Sequence, residues 1–317
     1  MVATLANFSN MLDQNETTDE YDPFTLTDPI EDRIFGIIMV MYTIGFVGPY
    51  VACLWVFATD PEMASRPCYR IIFHIGVSDV IQGVTNGIGG GVMSILRVAP
   101  FEANKRIGSI LEGSWMAYSI LVNLLAFNRF IQVCFSNRAN YVFTKRSTSV
   151  YIAICWAYGI TACVLYNTPL IDIVYYPEMY LWGYNVNPAS VICGYVEEAL
   201  DLFQLLCMII WYIGIFVRLK IQTKQITTNK GQISKKELHV VMQSLLICCL
   251  IFATCFGFFV VPQITGNNRY ATFVCNLVWL TNCGCNPIIY MAFNNSLIIP
   301  GRFVAKFLDF LEKKPLV

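Results

Sequence analysis

Seven apolar stretches, each about long enough to cross a bilayer as a helix, run through the chain with short polar segments between them. The pattern puts the spans at 34–57, 71–95, 107–134, 150–166, 196–217, 240–262 and 271–291. It predicts an all-α membrane protein: a seven-transmembrane helix bundle over 33–293, preceded by an outer tail at 1–32 and followed by an inner segment at 294–317. In that inner segment Phe303, Phe307 and Phe310 recur at i, i+4 and i+7 beside Arg302, Lys306, Lys313 and Lys314. This spacing predicts a short amphipathic helix lying in the inner interface. Little chain is left for a soluble catalytic domain.

Composition agrees, with 56% hydrophobic and 13% charged residues, the charges gathered between the apolar runs. With the N-terminus outside, the inner segments hold sixteen Lys and Arg against five outside, the bias that sets membrane orientation. The formal net charge of zero therefore hides a basic inner face and an acidic outer tail that includes Asp13, Glu16, Asp28, Glu31 and Asp32. Two glycan acceptor sequons, at Asn7 and Asn15, fall on that tail. The first thirty residues lack a basic start followed by an apolar core, so span one is expected to direct insertion without a cleaved signal. The thirteen cysteines lie mostly within spans, where a thiol packs as a small apolar group. Cys193 is the exposed candidate for a disulfide, with its partner unknown. The chain contains no C-x-x-C, H-E-x-x-H, G-x-x-x-x-G-K or G-x-S-x-G, so neither a metal, a cofactor nor an enzymatic activity is expected.

The polar residues inside the spans are the candidates for function, because an ionisable group there must face the bundle interior and find partners. Span two carries Asp79 with His74, Gln82 and Asn86; Gly83, Gly87 and Gly91 form a stripe suited to close helix approach. Span three has Glu112, with Trp115 and Tyr118 at helical spacing. Span seven has Asn276, Trp279, Asn282 and Asn286, and the last two share a face directed at Asp79. Asn286-Pro287-Ile288-Ile289-Tyr290 closes it, the proline removing a backbone donor and kinking the helix. The segment 170–195 is a long aromatic outer loop able to cover a cavity. Glu197, Glu198 and Asp201 open span five. A cationic ligand would explain them, but acids at the positive end of a solvated helix start explain them as well, and this second reading is preferred.

These residues resemble the rhodopsin-like branch of the G-protein-coupled receptors over essentially the whole chain. The matches are Asp79 in Gly76-Val77-Ser78-Asp79, Asn128-Arg129-Phe130 at the inner end of span three, Trp156 in span four, and the Asn286 to Tyr290 motif. More narrowly, Phe73 to Asp79 and Leu125 to Phe130 look like the nematode serpentine chemoreceptors, class T first and class X second. The resemblance implies a ligand cavity walled by Glu112, Trp115, Phe259, Gln263, Asn276 and Trp279. It implies a switch network of Asp79, Asn282, Asn286, Pro287 and Tyr290, and a coupling face of Asn128, Arg129, Arg138, Lys235 and Lys236. A small-molecule or peptide ligand, a heterotrimeric G protein and membrane lipid are the implied partners, nucleic acid is not, and dimerisation is left open. A plasma-membrane site, with a sensory cilium as a compatible address, follows from the same likeness.

Four positions depart from the pattern: Pro49 stands for the span-one asparagine that partners Asp79, Asn104 for the span-three cysteine, Asn128 for an acid beside Arg129, and Val260 for the span-six tryptophan. Leu111 near the amine-pairing position argues against a simple amine receptor. The rival functions are a transporter or ion channel, for which no internal repeat is seen, and a receptor-like trafficking protein that does not signal.

Overall fold

The computed structural model describes residue 24 and residues 27–229, 235–266 and 268–293. Seven long helices form the bundle, beginning with span one, Pro29–Thr59, whose first turn is capped by Asp28 accepting from the Ile30 and Glu31 amides. Span two runs as Pro67–Gln82, widens to a π-helix over Gly83–Gly90, and resumes as Gly91–Leu96. Span three is Phe101–Cys134 and span four Lys145–Tyr166; span five, Pro188–Asn229, starts behind an Asn187 side chain that accepts from the Ser190 amide. Span six is Lys235–Phe259 with a short continuation at Val261–Thr265, and span seven is Arg269–Phe293. The expected amphipathic helix at 294–317 and the sequons at Asn7 and Asn15 lie outside the described residues.

Burial is inverted relative to a water-soluble protein. Ile37, Met41 and Ile44 on span one, and Phe203, Leu206, Ile210 and Ile213 on span five, are exposed. Asp79, Gln82, Asn86, Asn276, Asn282 and Asn286 have no exposed surface at all. This is the arrangement hydrocarbon demands, since a polar group facing lipid has nothing to bond. Five of the helices are long and apolar enough to cross a membrane on composition alone. Spans two and seven fall short because they carry those inward-facing polar groups.

The glycines of span two let it lie directly on span one. A Cβ at Gly87 would come within 1.8 Å of Thr43 Oγ1, and one at Gly91 within 2.8 Å of the Gly36 carbonyl. Spans three and four meet the same way through Gly113 and Gly159.

To the helical bundle the structure adds one β-hairpin, β1 Ile173–Tyr176 and β2 Leu181–Tyr184, antiparallel with Ile173 opposite Tyr184 and Tyr176 opposite Leu181. The β-branched and aromatic residues on either side of the Pro177 to Tyr180 turn favour strands, and nearly all of them are buried against the helices. The hairpin lies across the end of the bundle at which span one begins. It is the aromatic loop anticipated at 170–195.

Candidate functional site

Two tethers hold the hairpin. Asn104, at the outer end of span three, accepts from the Tyr175 amide (2.7 Å) and donates to the Tyr175 carbonyl (3.2 Å). Beside it Lys105 pairs with Asp172 (2.5 Å) and donates to the Thr168 carbonyl. The disulfide anticipated for Cys193 is not formed: all thirteen cysteines are free thiols, and Cys193 faces the Tyr166 hydroxyl. Hydrogen bonds from Asn104 do the work a disulfide at that position would do.

A second knot ties the N-terminal segment into the same lid. Asp32, read from sequence as part of an acidic outer tail, is fully buried on the first turn of span one. It receives hydrogen bonds from Thr27 (2.6 Å) and Tyr180 (2.8 Å) and pairs with Arg97 (3.2 Å). Arg269 bridges Tyr180 and Glu31 from span seven. Burial, and then its bond to Asp32, push the Tyr180 hydroxyl above the usual tyrosine range, so it stays a neutral donor.

Beneath the hairpin lies an open-mouthed cavity, with about 670 Å³ of empty space when the solvent at its mouth is counted. Span three contributes Glu112 and Trp115; β2 contributes Trp182 and Tyr184; span five contributes Glu197, Glu198 and Asp201. Phe258 and Phe259 come from span six and Trp279 from span seven. The Trp279 ring stands edge-on to Trp115 (5.6 Å) and to Phe258 (5.0 Å), forming an aromatic wall.

Of the six residues anticipated as ligand contacts, the structure brings Glu112, Trp115, Phe259 and Trp279 together. Gln263 is exposed and away from the cavity, because the helix breaks after Phe259 and turns it outward. Asn276 is sealed behind it, accepting from Asn86 (2.7 Å) and donating to the Tyr180 carbonyl (2.9 Å).

The acids of span five are the clearest revision. Glu197 and Asp201 are 8% and 4% exposed, so the preferred reading as a solvated helix start fails. The helix begins at Pro188, more than two turns before Glu197, which puts these carboxylates inside the bundle rather than at its positive end. Glu197 accepts from the Tyr184 hydroxyl and Asp201 from the Trp115 indole (3.0 Å), and Glu112 lines the same cavity. Burial, then the Glu197 charge, push the Tyr184 hydroxyl well above its ordinary range, so it too remains a donor.

Below the cavity a polar network leads inward. Trp279 donates to Gln82 (2.9 Å), and Gln82 reaches back to Ser78, whose hydroxyl donates to the Ser114 carbonyl (2.7 Å). Asp79 accepts from Asn286 (2.7 Å) and from Tyr50 (2.5 Å) through one oxygen. Tyr50 thus supplies from the neighbouring position the partner that Pro49 appeared to remove. Asn282 meets Tyr118 (3.2 Å) rather than Asp79. Pro287 lies within the helix, while the Tyr290 side chain is outside the described residues.

At the end of the bundle away from the hairpin Arg129 donates to Gln132 (3.1 Å) and to the Cys68 sulfur (2.6 Å). Asn128 is buried and makes no hydrogen bond from either amide atom, so it exerts no hold on Arg129. Arg138 is exposed on a short helix, Ser136–Val142; the Lys235 and Lys236 side chains lie outside the described residues. His74 accepts from the Trp156 indole (3.1 Å), a structural bond between spans two and four.

The architecture is shared with squid rhodopsin, with a TM-score of 0.73 at 13% identity over 94% of this chain and 92% of that one. At that identity the likeness speaks to fold alone. No curated protein matches the sequence. Residues 18–308 match the family described as serpentine-type seven-transmembrane G-protein-coupled chemoreceptor Srt, which spans every described helix and the hairpin. This multi-pass membrane protein therefore belongs to the Srt family of serpentine chemoreceptors.

Proposed function

We propose that the protein is a chemosensory receptor that binds an extracellular ligand beneath the hairpin and passes the event inward to a heterotrimeric G protein. The observation that carries this reading is the Trp279 bond to Gln82, where a side chain walling the cavity is joined to the buried polar network of span two. A ligand that favours one arrangement of Trp115, Phe258 and Trp279 biases that network by its differential affinity and by no more than that. Pro287 removes a backbone donor within span seven and so gives it a point at which to move, with Asn286 bonded to Asp79 beside it. Arg129, held in this arrangement by Cys68 and Gln132, is freed when spans three and two part, and with Arg138, Lys235 and Lys236 it forms the basic face for the G protein.

The N-terminus lies outside in this scheme, with Asn7 and Asn15 glycosylated and the plasma membrane, or a sensory cilium, as the site of action. Replacing Arg129 by Ala tests the coupling. Ligand-evoked G-protein activation in a reporter cell should be lost at unchanged surface expression. An unaltered response would refute the scheme.

A further inference from the structure

We infer that the ligand of this cavity is a small organic cation with an apolar body, its ammonium group seated among Glu112, Glu197 and Asp201 and not at Leu111, so the case that Leu111 makes against a simple amine receptor does not reach this seat. The inference rests on the cavity being the ligand site proposed above and adds the chemical class it accepts. Three carboxylates converge there, and no lysine, arginine or histidine is among the described residues lining the cavity. Two of them have donors, Glu197 from Tyr184 and Asp201 from Trp115.

Glu112 is the separate and decisive observation. It is 7% exposed, it lines the cavity, and its Oε1 atom has no hydrogen-bond partner. A buried carboxylate oxygen left unpaired is costly, and its natural complement is a donor bearing positive charge. Glu112 and Glu197 line the same cavity, and like charges gathered there favour a cation among them.

The remaining walls suit such a ligand's other end. Trp115, Phe258 and Trp279 offer aromatic surface to an alkyl or aryl body, and a ring face near the ammonium adds cation–π attraction. The Trp182 indole N–H, buried and unpaired at the same cavity, is a donor for an acceptor on that body. An inorganic ion is disfavoured, because no group of three His, Cys, Asp or Glu among the described residues has metal-ligating geometry.

The test uses the full chain in nanodiscs and matched isosteres that differ only in charge: 2-phenylethylammonium, 2-phenylethanol and phenylacetate, with the corresponding indolylethyl and isopentyl series. Binding is read from tryptophan fluorescence, since Trp115, Trp182 and Trp279 wall the cavity, and from the thermal midpoint. In at least one series the ammonium member should bind at least about tenfold more tightly than its neutral and anionic counterparts, a difference of roughly 1.4 kcal/mol. Glu112→Gln and Asp201→Asn should each weaken that member about tenfold or more and leave the neutral compound within about twofold.

Ammonium members that bind no better than the alcohols overturn the inference. So does the absence of any ammonium binding at millimolar concentration, full retention of binding in both variants, or a midpoint shift produced by sodium or calcium chloride alone. The two proposals fail separately. Cation binding without an Arg129-dependent signal would refute the coupling and leave this site standing, whereas a neutral agonist that signals through Arg129 would do the reverse.

Discussion

Replacing Asn104 by Ala removes both hydrogen bonds that fasten the outer edge of the hairpin to span three. Asn104 is 5% exposed, so water does not readily replace it, and the Tyr175 amide and carbonyl both lose a partner. A buried hydrogen bond contributes about 1–1.5 kcal/mol net, which puts the loss near 2–3 kcal/mol. Because Lys105 still pairs with Asp172 and the Asp32 knot is untouched, the cost should fall on local opening of the hairpin rather than on the bundle. At 1.4 kcal/mol per tenfold, amides of Ile173–Tyr176 and Leu181–Tyr184 should exchange with deuterium about 30- to 140-fold faster, read by mass spectrometry on the reconstituted receptor. Exchange in span three should be unchanged. Less than about a threefold increase in the strands would mean that Asn104 is not the tether. A uniform rise over all helices would mean that it supports the whole fold.

Other perturbations follow the same logic. Lys105→Met strands Asp172 in a nearly buried site and should cost about 3–5 kcal/mol, seen as a lowered thermal midpoint, with Asp172→Asn recovering part of it. Tyr50→Phe removes a hydrogen bond to a buried carboxylate and should destabilise by about 1.5–3 kcal/mol; an unchanged midpoint would show that Asn286 alone suffices for Asp79. Gly87→Ala puts a methyl group against Thr43 and should lower the yield of folded receptor, whereas Gly87→Ala combined with Thr43→Ala should restore much of it; a well-folded single variant would contradict the close packing of spans one and two.

Several contacts of the site were legible from spacing alone. The spacing puts Asn282 and Asn286 on the face of span seven directed at Asp79; Asn286 is bonded to it at 2.7 Å, while Asn282 meets Tyr118 instead. The glycine stripe of span two was read as a packing surface, and it lies on span one. Others were not legible, for identifiable reasons. Tyr50 reaches Asp79 only because of how spans one and two cross, which hydropathy does not encode. Asn104 looked like a missing cysteine because its two bonds go to backbone groups 71 residues away, and backbone partners leave no residue-type signal. The apolar run starts at Val196 while the helix starts at Pro188, so hydropathy sets Glu197 and Asp201 at a helix end they do not occupy.

The division has a physical basis. Crossing hydrocarbon is a property of single segments: about twenty apolar residues and internally bonded backbone suffice, and lysine and arginine set the direction, so the seven spans and their expected orientation are written in the linear order. Which polar atoms end up paired is a property of helix crossings. Whether Glu112 keeps a free oxygen, whether Asp32 is solvated or buried, and whether a hairpin seals the outer end depend on helix starts, rotations and close glycine contacts fixed only when all the elements pack at once.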